Sequence, residues 1–154
     1  MQRCIELSQQ SLDNGDAPFG SLITRDNVLI AEGINDAKTR ISEHAEVIAL
    51  HNAHLALETS DLTGCTLYTN CEPCPMCSFM IREYKISRVV FALPSKFMGG
   101  FSKWNILQDE ELTRFKPFFS APPSVTSNFL EQEAKEVMNG TIFWMFGSEP
   151  TEEK

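Results

Sequence analysis

The run Tyr68-Thr69-Asn70-Cys71-Glu72-Pro73-Cys74-Pro75-Met76-Cys77 changes character midway. Residues 65–69, which lead into it, read as a buried strand. Pro75 suits the first position of a helix, where its preset φ fits and its missing N–H would have had no partner. A helix over residues 75–84 then places Cys74 and Cys77 on one turn, with both sulfurs facing the same way. His44 supplies a third ligand from a distant point in the chain, and Glu46 lies two residues beyond it. Three protein ligands leave the fourth tetrahedral position to water or hydroxide, the pattern of a catalytic zinc, one per chain. A carboxylate at Glu46 can reach that water and carry its proton without binding the metal.

Working outward, residues 86–93 form the next strand and residues 43–57 a helix capped by Ser42, whose first turn carries His44 and Glu46. Residues 19–24 and 28–34 are two strands joined at Arg25-Asp26-Asn27, preceded by a helix over residues 2–13 that ends at Asn14-Gly15. Downstream come a bent loop over 95–104, a short helix over 105–114, a strand over 124–129 and a helix over 130–138. The alternation predicts an α/β fold, a three-layer α-β-α sandwich with a mixed five-stranded sheet and helices on both faces, in a single domain spanning 1–154. The apolar stretch 141–146 reads as packed core or an oligomer contact.

The 154 residues suffice to bury a core without staples, and no apolar run is long enough to span a bilayer. Met1 leads into a polar segment that lacks a leader pattern, so a cytoplasmic location is expected. Five cysteines, two of them in a C-x-x-C pair, suit a metal in a reducing compartment better than a disulfide framework. The net charge of −8 argues against a nucleic acid partner, which normally requires a basic footprint. A local basic patch remains compatible with that total, since Arg82, Lys85, Arg88, Lys96 and Lys103 fall within a short span.

The pair of motifs, H-x-E at His44 to Glu46 and P-C-x-x-C at Pro73 to Cys77, resembles the zinc-dependent cytidine deaminase superfamily. The longer run from Tyr68 to Cys77, with Pro18-Phe19-Gly20, Gly33-Ile34-Asn35 and Arg88-Val89-Val90-Phe91, resembles the branch of guanine deaminases, yeast-type cytosine deaminases and tRNA adenosine deaminases. The resemblance is strong over about residues 2–93 and in outline beyond. It implies hydrolytic release of ammonia, with His44, Cys74 and Cys77 on zinc and Glu46 as the proton carrier. It also implies a homodimer, base contacts from Asn35 and the backbone of Ala45, and backbone contacts from the region of Glu72.

Alternatives stay open at this level. Cys71 is spaced evenly with Cys74 and Cys77 and would close a structural Cys3His site, leaving a non-catalytic module. Phe101 and Trp104 are either core or aromatic groups that stack on the substrate or shut the pocket. His51 and His54 read as surface or packing residues. Ala92-Leu93-Pro94-Ser95-Lys96 lacks the acidic residue that the resembling guanine deaminases place there, and the loop of the tRNA enzymes is not matched either. The substrate expected is a small nucleobase or related aminated heterocycle, guanine or cytosine-like, with tRNA adenosine as the alternative.

Overall fold

Asp26 and Asn27 both adopt left-handed backbone conformations, with φ of 51° and 63°. They close a two-residue turn between β1 (Gly20–Arg25) and β2 (Val28–Ile34), in which Arg25 pairs with Val28. Short polar side chains tolerate that backbone, and its twist matches the strands it joins. The computed structural model describes residues 1–141. Within them α1 (Gln2–Asp13) precedes the hairpin, and α2 (Ala45–Leu57), β3 (Cys65–Cys71), α3 (Pro75–Glu83), β4 (Arg88–Leu93), β5 (Ser124–Thr126) and α4 (Glu131–Met138) follow it.

The sheet order is β2-β1-β3-β4-β5, antiparallel across β2, β1 and β3 and parallel across β3, β4 and β5. Parallel neighbours need a crossover, and α3 is the crossover between β3 and β4. One apolar layer joins Ile23, Leu67, Val89 and Phe91 of the sheet to Leu50 and Ala53 of α2 and Ile81 of α3. A second joins Cys71, Ala92 and Leu93 to Ala134 and Met138 of α4, with Ile5 of α1 packed against it. Each fully buried Leu, Ile or Phe in these layers contributes about 1.5–3 kcal/mol. The expected mixed five-stranded sheet with helices on both faces is therefore the observed architecture.

Three boundaries differ from expectation. Ser42 does not cap α2, because the backbone of residues 40–44 closes on itself first: Glu43 N–H donates to the Arg40 carbonyl and His44 N–H to that of Ser42. The expected helix over 105–114 is instead two 3-10 turns, Ile106–Gln108 and Glu110–Arg114. Buried Arg82 takes the carbonyls of Ile106 (2.7 Å) and Asp109 (2.9 Å) for its own guanidinium, so neither is free to propagate an α-helix. β5 stops at Thr126 rather than 129, since Asn128 and Leu130 turn left-handed (φ 61° and 59°) on the way into α4. The apolar stretch 141–146 lies, beyond Thr141, outside the described residues.

Candidate active site

Both ligand-bearing segments are helix starts. His44 is the cap residue of α2, extended at φ −70° and ψ 153°, and so stands just before the first turn rather than in it. Cys74 caps α3 in the same way, at φ −68° and ψ 171°, with Pro75 following and Cys77 within the first turn. His44 Nδ1 lies 3.6 Å from Cys74 Sγ and 3.5 Å from Cys77 Sγ. All three donor atoms fall within 4.8 Å of one another. Tetrahedral zinc, with bonds of about 2.3 Å to sulfur and 2.0–2.1 Å to nitrogen, separates the two donor types by about 3.6 Å. The donor set fits zinc in chemistry and in span, and zinc is the cofactor of this site. Cys71 stands outside this cluster, so the fully cysteine-closed alternative lacks its fourth ligand.

The electrostatics agree. A hydrogen bond from Cys77 and the neighbouring His44 pull the Cys74 thiol down to about 4, against its burial. Cys77 moves up, because it keeps the proton in that hydrogen bond and is itself buried. The positive ends of two helix dipoles add to this preference for thiolate.

Glu46, in the first turn of α2, is only 6% exposed. Its Oε2 accepts one weak hydrogen bond, from Cys77 Sγ at 3.7 Å. Burial, with the Cys74 charge added, raises its carboxyl to about 7. A cavity of about 80 Å³ adjoins it, lined by Phe19, Cys71, Cys74, Ser95 and Met98 together with Glu46 and Glu72. Larger surface clefts, of about 430 and 480 Å³, lie elsewhere and include none of the ligands.

Glu72 was expected to serve through its backbone, and its side chain does more. The buried carboxylate accepts the backbone N–H of Ser95 (2.7 Å), Phe101 (3.1 Å) and Ser102 (2.7 Å) and the Ser102 hydroxyl (2.9 Å). It thereby fastens residues 95–102 beside the cavity. Phe101, held this way, turns its ring toward the core, edge-on to Phe91 with centroids 6.2 Å apart. Trp104 is 54% exposed with Lys103 Nζ 5.9 Å from its ring. Neither lines the cavity, where Phe19 and Met98 stand; Phe101 takes the core place that was one of its two open alternatives, and Trp104 stands largely exposed. Phe19 was within reach of sequence reasoning, which singled out Pro18-Phe19-Gly20 without giving its ring a task. Asn70 holds that segment from both sides, donating to the Pro18 carbonyl (2.9 Å) and accepting from Gly20 N–H (2.9 Å).

Asn35 is buried just past β2, its N–H bonded to the carbonyl of cavity-lining Phe19 at 3.1 Å. Ala45 is fully buried at the start of α2, and a Cβ on Gly33 would overlap its carbonyl oxygen. That close approach brings the end of β2 against the His44-Ala45-Glu46 segment. His51 and His54 stand at 6.5 and 6.1 Å from the Tyr84 ring, edge-on, as packing residues.

A family model described as the cytidine and deoxycytidylate deaminase zinc-binding region matches residues 1–93. The chain is 30% identical to a tRNA-specific adenosine deaminase of Aquifex aeolicus over 138 residues, covering 88% of this chain and 91% of that one. It is 41% identical to a guanine deaminase of Bacillus subtilis over 80 residues, 50% of this chain and 51% of that one. A solved structure from studies of A-to-I editing by tRNA:A34 deaminases superposes with a TM-score of 0.77 at 23% identity, covering 89% of this chain and 96% of that one, which establishes likeness of fold. The chain belongs to the zinc-binding cytidine and deoxycytidylate deaminase family, a family of hydrolytic C–N-cleaving enzymes.

Proposed function

We propose that this enzyme deaminates a small aminated heterocycle of the nucleobase class, guanine or cytosine-like, at the site formed by His44, Cys74 and Cys77. The observation that carries this reading is the small cavity between Glu46 and the loop fastened by Glu72. Zinc held by His44, Cys74 and Cys77 supplies, when bound, the Lewis acidity that activates water toward an amidine-type ring carbon. Glu46 takes one proton from that water and passes it to the ring nitrogen. It then carries the second proton to the exocyclic amine, the C–N bond breaks, and ammonia leaves with the water oxygen in its place. Glu46 is suited to this because its carboxylate is buried and only lightly held. Ala45, through its backbone, and Asn35 orient the ring, and Phe19 offers it an aromatic wall. A homodimer belongs to the same proposal and rests on the resemblance alone, and a cytoplasmic location belongs to it on the cysteine pattern, which suits a reducing compartment.

Deamination of adenosine in tRNA is the second reading. It is favoured by identity across nearly the full length of the Aquifex enzyme, where the guanine deaminase match spans half. The two readings separate in one assay: ammonia release by zinc-loaded protein from guanine, cytosine, adenine, their nucleosides and a tRNA anticodon stem-loop. Glu46→Ala serves as the blank and is expected to retain zinc while losing roughly 10²–10⁴-fold or more of turnover. Activity on the stem-loop alone would exchange the first reading for the second, and near-normal turnover by Glu46→Ala would remove the assigned role of Glu46.

A further inference from the structure

Of the residues lining the cavity beside Glu46, Cys71, Glu72 and Ser95 are buried, whereas Met98 is 50% exposed. The other walls are fixed. Glu72 is held by three backbone N–H groups and a hydroxyl, and Asn70 grips the Phe19 segment from both sides. The backbone that carries Met98 is fixed as well. Met98 N–H donates to Ser95 Oγ at 3.3 Å, Gly99 N–H to the Ser95 carbonyl at 2.9 Å and Gly100 N–H to the Pro73 carbonyl at 2.8 Å. A Cβ on Gly99 would overlap the Glu72 carboxylate, and one on Gly100 the Ser78 hydroxyl, so this backbone is seated as closely as glycine allows. What can turn is the Met98 side chain, which is unbranched and open to solvent.

We propose that Met98 sets the ring-size limit of this site, admitting single-ring aminopyrimidines of the cytosine type and turning away fused-ring purines. This inference rests on the small-heterocycle reading above and narrows it. A cavity of about 150 Å3 houses one six-membered ring. The space here is about 80 Å3, so a ring enters only when a wall moves. Met98 carries three heavy atoms beyond its Cβ, half as many as a six-membered ring, and turned outward they free about 75 Å3 on the same scale. The space then matches one ring and falls short of two fused ones. Because the backbone on either side of Met98 cannot withdraw, that limit resides in one side chain.

The test measures kcat/KM for cytosine and guanine with the zinc-loaded wild type, Met98→Ala and Met98→Leu, and titrates the products uracil and xanthine by calorimetry. Wild type is expected to favour cytosine at least about 100-fold, since a surplus ring costs no less than the surplus methylene that pockets reject by that order. Met98→Ala is expected to shrink that preference at least about tenfold by raising guanine turnover, with melting temperature and zinc content unchanged. Met98→Leu conserves volume and is expected to keep the preference. Uracil is expected to bind the wild type where xanthine does not, and both are expected to bind Met98→Ala, which reads ring size without turnover. Guanine turned over as well as cytosine by the wild type overturns the inference, as does xanthine bound as tightly as uracil or uracil left unbound. So does a cytosine preference that survives Met98→Ala, which would place the limit in polar recognition, or a loss shared equally by both substrates, which would mark Met98 as structural support. Turnover confined to RNA removes the small-heterocycle reading and this inference with it, whereas turnover of guanine and cytosine alike removes the inference alone.

Discussion

Two buried glutamates adjoin the same cavity, and their hydrogen bonds separate their roles. From other residues Glu46 accepts one long bond, from a sulfur, beside the N–H of its own backbone, and Glu72 accepts four from nitrogen and oxygen donors. A carboxylate saturated by fixed donors cannot exchange protons with a substrate without breaking them, whereas a lightly held one can. Glu72→Gln tests the division. Its amide turns an NH2 toward backbone N–H groups that need an acceptor, at a cost of about 1–3 kcal/mol for each donor left unsatisfied. A lowered melting temperature and a KM raised more than kcat falls are expected, because residues 95–102 loosen while Glu46 is untouched. A loss confined to kcat, with an unchanged melting temperature, would place Glu72 in the chemistry instead. At this scale the metal ligands, and the place of Glu46 beside them, were legible, since both follow from short spacings. The role of Glu72 was not. Its partners lie 23 to 30 residues away, at distances set only when loop and strand ends meet.

The site is assembled where elements end: the start of α2, the start of α3, the end of β2 and the end of β3. Gly33 shows how little room those ends share, since a side chain there would strike the Ala45 carbonyl and the Ala49 backbone nitrogen, neither of which can swing aside. Gly33→Ala is expected to cost about 1–3 kcal/mol as overpacking. The displaced segment holds His44, so zinc affinity should fall along with the melting temperature. Zinc titration against a competing chelator checks this, and wild-type affinity in the variant would show that β2 does not set the ligand geometry. The hairpin, α1, α3 and the sheet strands through β4 were legible because local chemistry decides them: a two-residue polar turn, a proline at a helix start, apolar runs of strand length. Residues 105–114 were misread because their pattern permits an α-helix. The structure that wins depends on Arg82, some twenty-four residues earlier, drawing carbonyls out of the helical ladder. The choice left open for Phe101 turned on Glu72 in a related way, since that side chain fastens residues 95–102.

Taken whole, the molecule's charge bears on which substrate reaches the site. The sequence carries −8, and the basic cluster that would offset it locally is thinner in three dimensions than in the sequence. Arg82 is buried and spends its guanidinium on the carbonyls of Ile106, Asp109 and Ser120. Lys85 Nζ stands 3.7 Å from Asp61, a partly exposed pair that screens part of its charge. Of this cluster Arg88, Lys96 and Lys103 remain on the surface, and on the small-heterocycle proposal they make no more than two or three phosphate contacts. An anticodon stem-loop should therefore bind the zinc-loaded protein weakly at physiological salt, with log K falling by a slope of about −2 or shallower against log salt, as expected for no more than two or three phosphate contacts on single-stranded or loop RNA. Fluorescence anisotropy from 50 to 200 mM salt measures it. A steep slope with submicromolar affinity would mean that this acidic chain gathers a basic surface by some arrangement beyond the single protomer. It would then favour the full-length likeness to the tRNA enzyme over the small cavity as the guide to substrate.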